Sequence, residues 1–194
     1  SATLKRFKHN DMEDLARLLE SRGDYENCLI VTDHVFSMDG DVAPLAEMVA
    51  LADAHDCWTM ADDAHGLGIV PASAKLDVWM GTLSKAAGGY GGYVVGSQKL
   101  IDFLVTSARS FVFSTGLPPA VCASALAALE VMDTEPERGA RVLMMARRVT
   151  DALGLPPAQS PVVPVMLGAP EVALRLGRAI AYVSGRDLGR PPRV

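Results

Sequence analysis

The chain reads as an α/β fold, a mainly parallel sheet flanked by helices, and three features predict it. Residues 28–32 form a continuous apolar run, the pattern of a strand buried in a parallel sheet. Pro44 opens a helical stripe that runs to about His55 and feeds a second run, residues 58–61, so strand, helix and strand follow one another as a βαβ unit. A third run, residues 76–80, leads into a turn with four glycines in the seven residues after Lys85. With 194 residues, 49% apolar and 21% charged, the chain can bury a real core.

The elements follow in order. Residues 1–8 are short and basic, with Leu4 and Phe7 as anchors, and read as a strand. Asn10 can cap the next helix, with Glu13 at the reciprocal position of a capping box and Met12, Leu15, Leu18 and Leu19 on one stripe. His9 and Asn10 then read as structural. In the helix after Pro44 the apolar stripe is Leu45, Met48, Val49 and Ala52. Residues 92–96 give another strand and residues 98–109 an amphipathic helix, after which Pro118 and Pro119 open an alanine-rich helix reaching about Met132. Residues 135–153 read as a long helix with Val142, Leu143 and Met145 inward and its arginines in solvent. Proline and glycine become frequent from Gly154, which marks a linker into a small C-terminal α/β subdomain with a strand over 161–166 and a helix from Pro170 to about Ala181.

Composition excludes several functions. The net charge is −5 with 18 lysines and arginines and no basic run, so nucleic acid is not an expected partner. No apolar stretch approaches the length of a membrane span, no signal-peptide pattern opens the chain, and a cytoplasmic location is expected. Cys28, Cys57 and Cys122 are odd in number and far apart, so neither a disulfide framework nor a zinc site is expected, and they read as packing residues.

In open α/β sheets ligands bind beyond the carboxyl ends of the strands. Three such ends carry reactive groups: Asp33 to Asp41, Asp62-Asp63-Ala64-His65-Gly66, and Gly81-Thr82-Leu83-Ser84-Lys85-Ala86. The glycines after Lys85 leave backbone amides uncovered, so a phosphate or a planar ring can approach closely. Taken singly, Lys85 would be a solvated turn lysine, Asp62 a helix cap or surface acid, and His34 a loop or partly buried histidine. Together, lysine, aspartate and histidine match the needs of a pyridoxal phosphate enzyme. The lysine forms a Schiff base with the aldehyde, the carboxylate keeps the pyridine nitrogen protonated so that the ring accepts electrons, and the imidazole reaches the phenolic oxygen.

Four blocks in order, residues 36–45, 62–68, 81–86 and 113–120, make the chain resemble the α-oxoamine synthases. The resemblance implies a fold-type I pyridoxal-phosphate-dependent transferase, with residues 1–153 in its large cofactor-binding domain, residues 154–194 beginning the small C-terminal domain, and further large-domain sequence before Ser1. It implies Lys85, His65 and Asp62 as catalytic residues, with Asp62 rather than Asp63 at the ring nitrogen because the family pattern is Asp-x-x-His. Asp63 then supports the loop. Ser37, Thr82 and Thr115 join these as cofactor-binding residues, Thr115 reaching the phosphate of the neighbouring subunit, so a homodimer with shared active sites is implied. The implied reaction is the decarboxylating condensation of an amino acid with an acyl thioester. The wording of the blocks favours L-alanine and a pimeloyl thioester over glycine with acetyl-CoA or succinyl-CoA and over serine with palmitoyl-CoA.

The chain departs from the family in places. Only residues 70–75 stand where relatives carry a longer glycine-rich loop, and neither the ring-stacking histidine nor the carboxylate-binding arginine has a counterpart. Arg190-Pro191-Pro192 resembles a segment near the acyl substrate. A competing reading is a non-catalytic binding or dimerisation module, against which stands the joint presence of Asp62, His65, Thr82 and Lys85.

Overall fold

The computed structural model describes residues 2–23 and 25–183, so Arg190 and its neighbours lie outside the described residues. Two compact units divide between Val163 and Pro164, ten residues beyond the end of the long helix where the sequence places the domain boundary. Each is described by itself.

The first unit is built on one four-stranded sheet: β1 (Leu29–Asp33), β2 (Trp58–Asp62), β3 (Val78–Thr82) and β4 (Gly92–Val95), in spatial order β1-β2-β3-β4. The first three are parallel and β4 is antiparallel to β3. Helix α1 (Met12–Glu20) precedes β1 and α2 (Leu45–Ala54) crosses from β1 to β2, as the βαβ pattern requires. After β4 come α3 (Gln98–Ser107), the single turn α4 (Arg109–Val112), α5 (Pro119–Thr134) and α6 (Glu137–Leu153).

Leu15 and Leu19 of α1, Leu45, Met48 and Ala52 of α2, Ile30 of β1 and Ala61 of β2 form one buried cluster with Ala43 and Leu76. That cluster covers one face of β1 and β2. On the other face Leu29, Val31 and Trp58 are each about half exposed, at 51%, 53% and 50%. Expected burial on both faces is therefore met on one only, because among the described residues no helix contributes to a cluster on the second. A second, smaller cluster seats Ala125 of α5 against Leu83 and Ala87, at the turn between β3 and β4.

Several local expectations are corrected. Residues 2–8 form no strand: the Lys8 amide is taken by the Asp14 carboxylate and Phe7 packs on the core as a loop residue. The cap of α1 is Asp11, whose side chain accepts from the Asp14 amide, while Asn10 is held at φ 52° with its amide donating to Asp41. A break at Ala108 divides the expected helix 98–109 into α3 and α4. In α6 the buried positions are Gly139, Ala146 and Thr150, and Val142 and Met145 are exposed, because the stripe that packs against the rest of its unit is one of small residues. Residues 161–166 form no strand: Pro161 and Pro164 have no N–H to donate to a ladder. Cys28 and Cys57 pack beside the core as expected, whereas Cys122 is exposed.

In the second unit the described residues contain α7 (Pro170–Val183), the helix expected from Pro170. No helix of the described residues is long and apolar enough to cross a membrane.

Candidate active site

The carboxyl ends of β1, β2 and β3 are laced by backbone hydrogen bonds that continue past the strands. The His34 amide donates to the Asp62 carbonyl at 2.8 Å, and the Asp63 amide to the Met80 carbonyl at 2.7 Å. Asp33 and Asp62 are register partners across β1 and β2. Since successive strand side chains point to opposite faces, Asp62 shares its face with Asp33, Val31 and Met60, and Asp63 points to the core face with Ala61.

The two neighbouring aspartates consequently have different surroundings. The Asp63 carboxylate meets Nδ1 of His34 at 2.6 Å. The Asp62 carboxylate accepts from the Ala64 amide at 2.8 Å, which shapes the turn leading to His65, and remains partly open. Burial pushes the Asp33 carboxyl above its ordinary range, the Asp62 charge adds to the rise, and His65 opposes it, so these three groups share one electrostatic environment. Tyr93 of β4 pairs with Gly81 and so lies on the Asp63 side of the sheet: burial first, then the Asp63 and Asp62 charges, push its phenol up to about 12.

The turn after β3 is tight. The Thr82 hydroxyl donates to the Gly91 carbonyl at 3.0 Å and accepts from the Ser84 amide at 3.1 Å, and the Leu83 amide closes the loop on Gly91 at 2.9 Å. The Gly88 amide donates to the Lys85 carbonyl at 3.0 Å. Leu83 and Ala87 are buried, and Ser84, Lys85 and Ala86 between them are exposed. Lys85 therefore sits on a hydrogen-bonded loop at the end of the strand beside Asp62.

Ser37 is exposed on a third turn, closed by the Phe36 amide on Asp41 at 3.0 Å and the Gly40 amide on Phe36 at 2.9 Å, with Gly40 at φ 71°. Asp41 accepts from Asn10 at 2.8 Å and lies 2.7 Å from His9 Nε2, so His9 and Asn10 have structural contacts. The buried Ser160 hydroxyl donates to the Gly40 carbonyl at 2.6 Å, a tether across 120 residues. Thr115 lies exposed between α4 and α5, on the segment whose Leu117 packs against Gly91.

The structure thus brings Asp62, His65, Thr82 and Lys85 to adjacent strand ends and Ser37 to the next one. His34, expected as a loop or partly buried histidine, is fully buried, and the alternation Ile30, Thr32, His34 is the signal that places it on the inward face. Ser160, set in a proline-rich linker, carries no local signal.

The profile of the aminotransferase class I and II family matches residues 1–185. The chain belongs to that family. It is 56% identical over 176 residues to the 8-amino-7-oxononanoate synthase of Methylorubrum extorquens (strain PA1), covering 90% of this chain and 46% of the relative. It spans about half the length of the curated relatives it matches. Among solved structures, the serine palmitoyltransferase of Sphingomonas wittichii superposes with a TM-score of 0.85 at 30% identity, covering 96% of this chain and 52% of that one. A serine palmitoyltransferase variant from S. paucimobilis with a bound PLP–myriocin aldimine gives 0.80 at 31%, covering 89% and 51%. The fold is that of the fold-type I pyridoxal-phosphate-dependent transferases, a mostly parallel sheet with helices.

The donor set fits pyridoxal phosphate. An amine on a loop can take its aldehyde, a partly open carboxylate its ring nitrogen, an imidazole its phenolic oxygen, and hydroxyls its phosphate, all from neighbouring strand ends.

Proposed function

We propose that the protein is a pyridoxal-phosphate-dependent acyltransferase that condenses L-alanine with a pimeloyl thioester, carried by CoA or by an acyl carrier protein, to give 8-amino-7-oxononanoate in biotin biosynthesis. The observation that carries this reading is the convergence of Asp62, His65 and Lys85 on adjacent strand ends, in a chain 56% identical to a synthase of that name. Residues 1–153 belong in this reading to the large cofactor-binding domain and residues 154–194 begin the small one. A cytoplasmic homodimer is part of the same reading.

In the balanced reaction, a proton leaves Cα of L-alanine and a bond forms from Cα to the thioester carbonyl carbon. The thiol departs, the alanine carboxyl leaves as carbon dioxide, and Cα regains a proton. When bound, pyridoxal phosphate supplies the electron sink that makes the Cα proton removable. Lys85 binds the aldehyde carbon through Nζ and, when free, moves the proton at Cα. Asp62 holds the proton on the ring nitrogen by a charge-assisted hydrogen bond. His65 orients the phenolic oxygen, Ser37 contacts the ring region and Thr82 the phosphate. Thr115 serves the phosphate site of the second subunit, which makes activity depend on dimerisation.

The test uses the full-length protein loaded with pyridoxal phosphate. Borohydride reduction followed by peptide mapping should place the label on Lys85, and L-alanine with pimeloyl-CoA or the pimeloyl carrier protein should release carbon dioxide and the oxoamine. Lys85→Ala should lower turnover by on the order of 10³ or more. A label on Lys75 or Lys99 sinks the site assignment, and a preference for glycine or serine over L-alanine sinks the substrate assignment.

A further inference from the structure

His34 is among the largest fully buried side chains of the molecule, with 1% of its surface exposed, yet it takes no part in the mechanism above. Two contacts hold its ring and two hydrogen bonds fix its backbone. Nδ1 stands 2.6 Å from Oδ1 of Asp63, Trp79 of β3 meets the ring edge to face with centroids 5.6 Å apart, and the backbone of His34 donates to the Asp62 carbonyl and accepts from the Ala43 amide at 3.0 Å. Nε2 is buried and has no partner among the described residues. The hydrogen is therefore on Nδ1: a carboxylate oxygen only accepts, and a hydrogen on Nε2 would be buried without an acceptor.

The bond has a direct bearing on the neighbouring turn. Asp63 lies between Asp62 and the turn that carries His65, and its amide is fixed to Met80 of β3. Gly66 closes the same turn through its amide on the Asp63 carbonyl at 3.2 Å. A Cβ on Gly66 would overlap Asp63 Oδ1 and stand 2.7 Å from His34 Nδ1, so the hydrogen-bonded pair fills the space under the turn. With the side chain of Asp63 anchored to the core and its amide to β3, Asp62 is left aimed at the opposite face.

We propose that His34 is a positioning residue. Its Nδ1–H···Oδ1 bond to Asp63 pins the turn 62–66 from beneath, and so sets the direction of Asp62 and His65 toward the cofactor. The inference rests on the assignment of Asp62 and His65 under the proposed function.

The replacement that separates positioning from packing is asparagine against glutamine. The asparagine amide nitrogen is bonded to Cγ, as Nδ1 is, and can keep the bond to Asp63. The glutamine amide lies one carbon further out, nearer the position of Nε2, and cannot. In the full-length protein with pyridoxal phosphate, His34→Gln should weaken cofactor binding about tenfold, lower kcat with little change in KM for L-alanine, and shift the visible absorption of the bound cofactor, while His34→Asn stays within about threefold of the parent. Asp63→Ala, which removes the acceptor, should match His34→Gln, and combining the two should add nothing further. Nitrogen-detected NMR of the histidine rings in the parent at pH 8 should show His34 with its hydrogen on Nδ1, the minor tautomer of free histidine, and this reading stands even where a variant does not fold. Equal behaviour of the asparagine and glutamine variants, additive effects of His34 and Asp63, or a hydrogen on Nε2 would each overturn the proposal. A parent protein that carries no borohydride label on Lys85 would instead overturn the reading of the site on which it rests.

Discussion

The two turns that carry the candidate catalytic groups are built on opposite principles. The turn after β2, residues 63–68, is packed from below by His34 and from the side by α6, whose Gly139 lies so close that an added Cβ would overlap the Gly68 carbonyl and stand 3.1 Å from Ile69 Cα. The turn after β3, residues 83–91, seats Leu83 and Ala87 against α5 at its base and closes on its own backbone at its tip, with Gly88 at φ 61° and open space around it. In the first turn Gly66 makes room for Asp63 and His34, whereas Gly88 meets no neighbour and provides a backbone conformation alone. Under the proposed function the difference suits the groups they carry: a carboxylate and an imidazole that hold a direction, and a lysine that bonds, releases and moves a proton.

The largest effect should come from breaking the packed turn. Gly139→Ala forces either α6 or the Gly68 backbone to shift and should cost about 2–3 kcal/mol, read as a lower urea midpoint at unchanged slope. Gly88→Ala meets no atom and pays only for a left-handed backbone, about 1 kcal/mol. Should Gly88→Ala cost as much as Gly139→Ala, the distinction between a packed turn and an open turn tip fails.

The smallest effect sharpens the electrostatic side. The Asp33 carboxyl is raised by burial and then by the Asp62 charge. A raised carboxyl supports the folded state while protonated, so its contribution is present below the ordinary carboxylate range and is lost as the pH rises through the raised value. Asp33→Asn should therefore stabilise the cofactor-free protein at neutral pH and lose that advantage in acid. The gain should stay below about 1 kcal/mol, since the site is partly open and water screens the pair. A variant less stable than the parent at pH 7 would mean that Asp33 is held by a favourable contact rather than crowded by Asp62.

The sequence by itself determined the succession of strand, helix and strand, and with it that Ser37, Asp62, His65, Thr82 and Lys85 would stand at strand ends. Apolar period and glycine-rich turns are local properties, and the order of parallel strands follows from their connections. The identity of the α1 cap and the outward direction of Val142 and Met145 were decided by neighbours distant in the chain. The same holds for the separation of Asp62 from Asp63. On the page they are two adjacent acids, and only a sheet with α1 and α2 on one side turns one of them to the buried His34 and leaves the other open. The physical reason is that alternation along a strand assigns side chains to two faces without saying which face is covered, and burial is a property of the covering element.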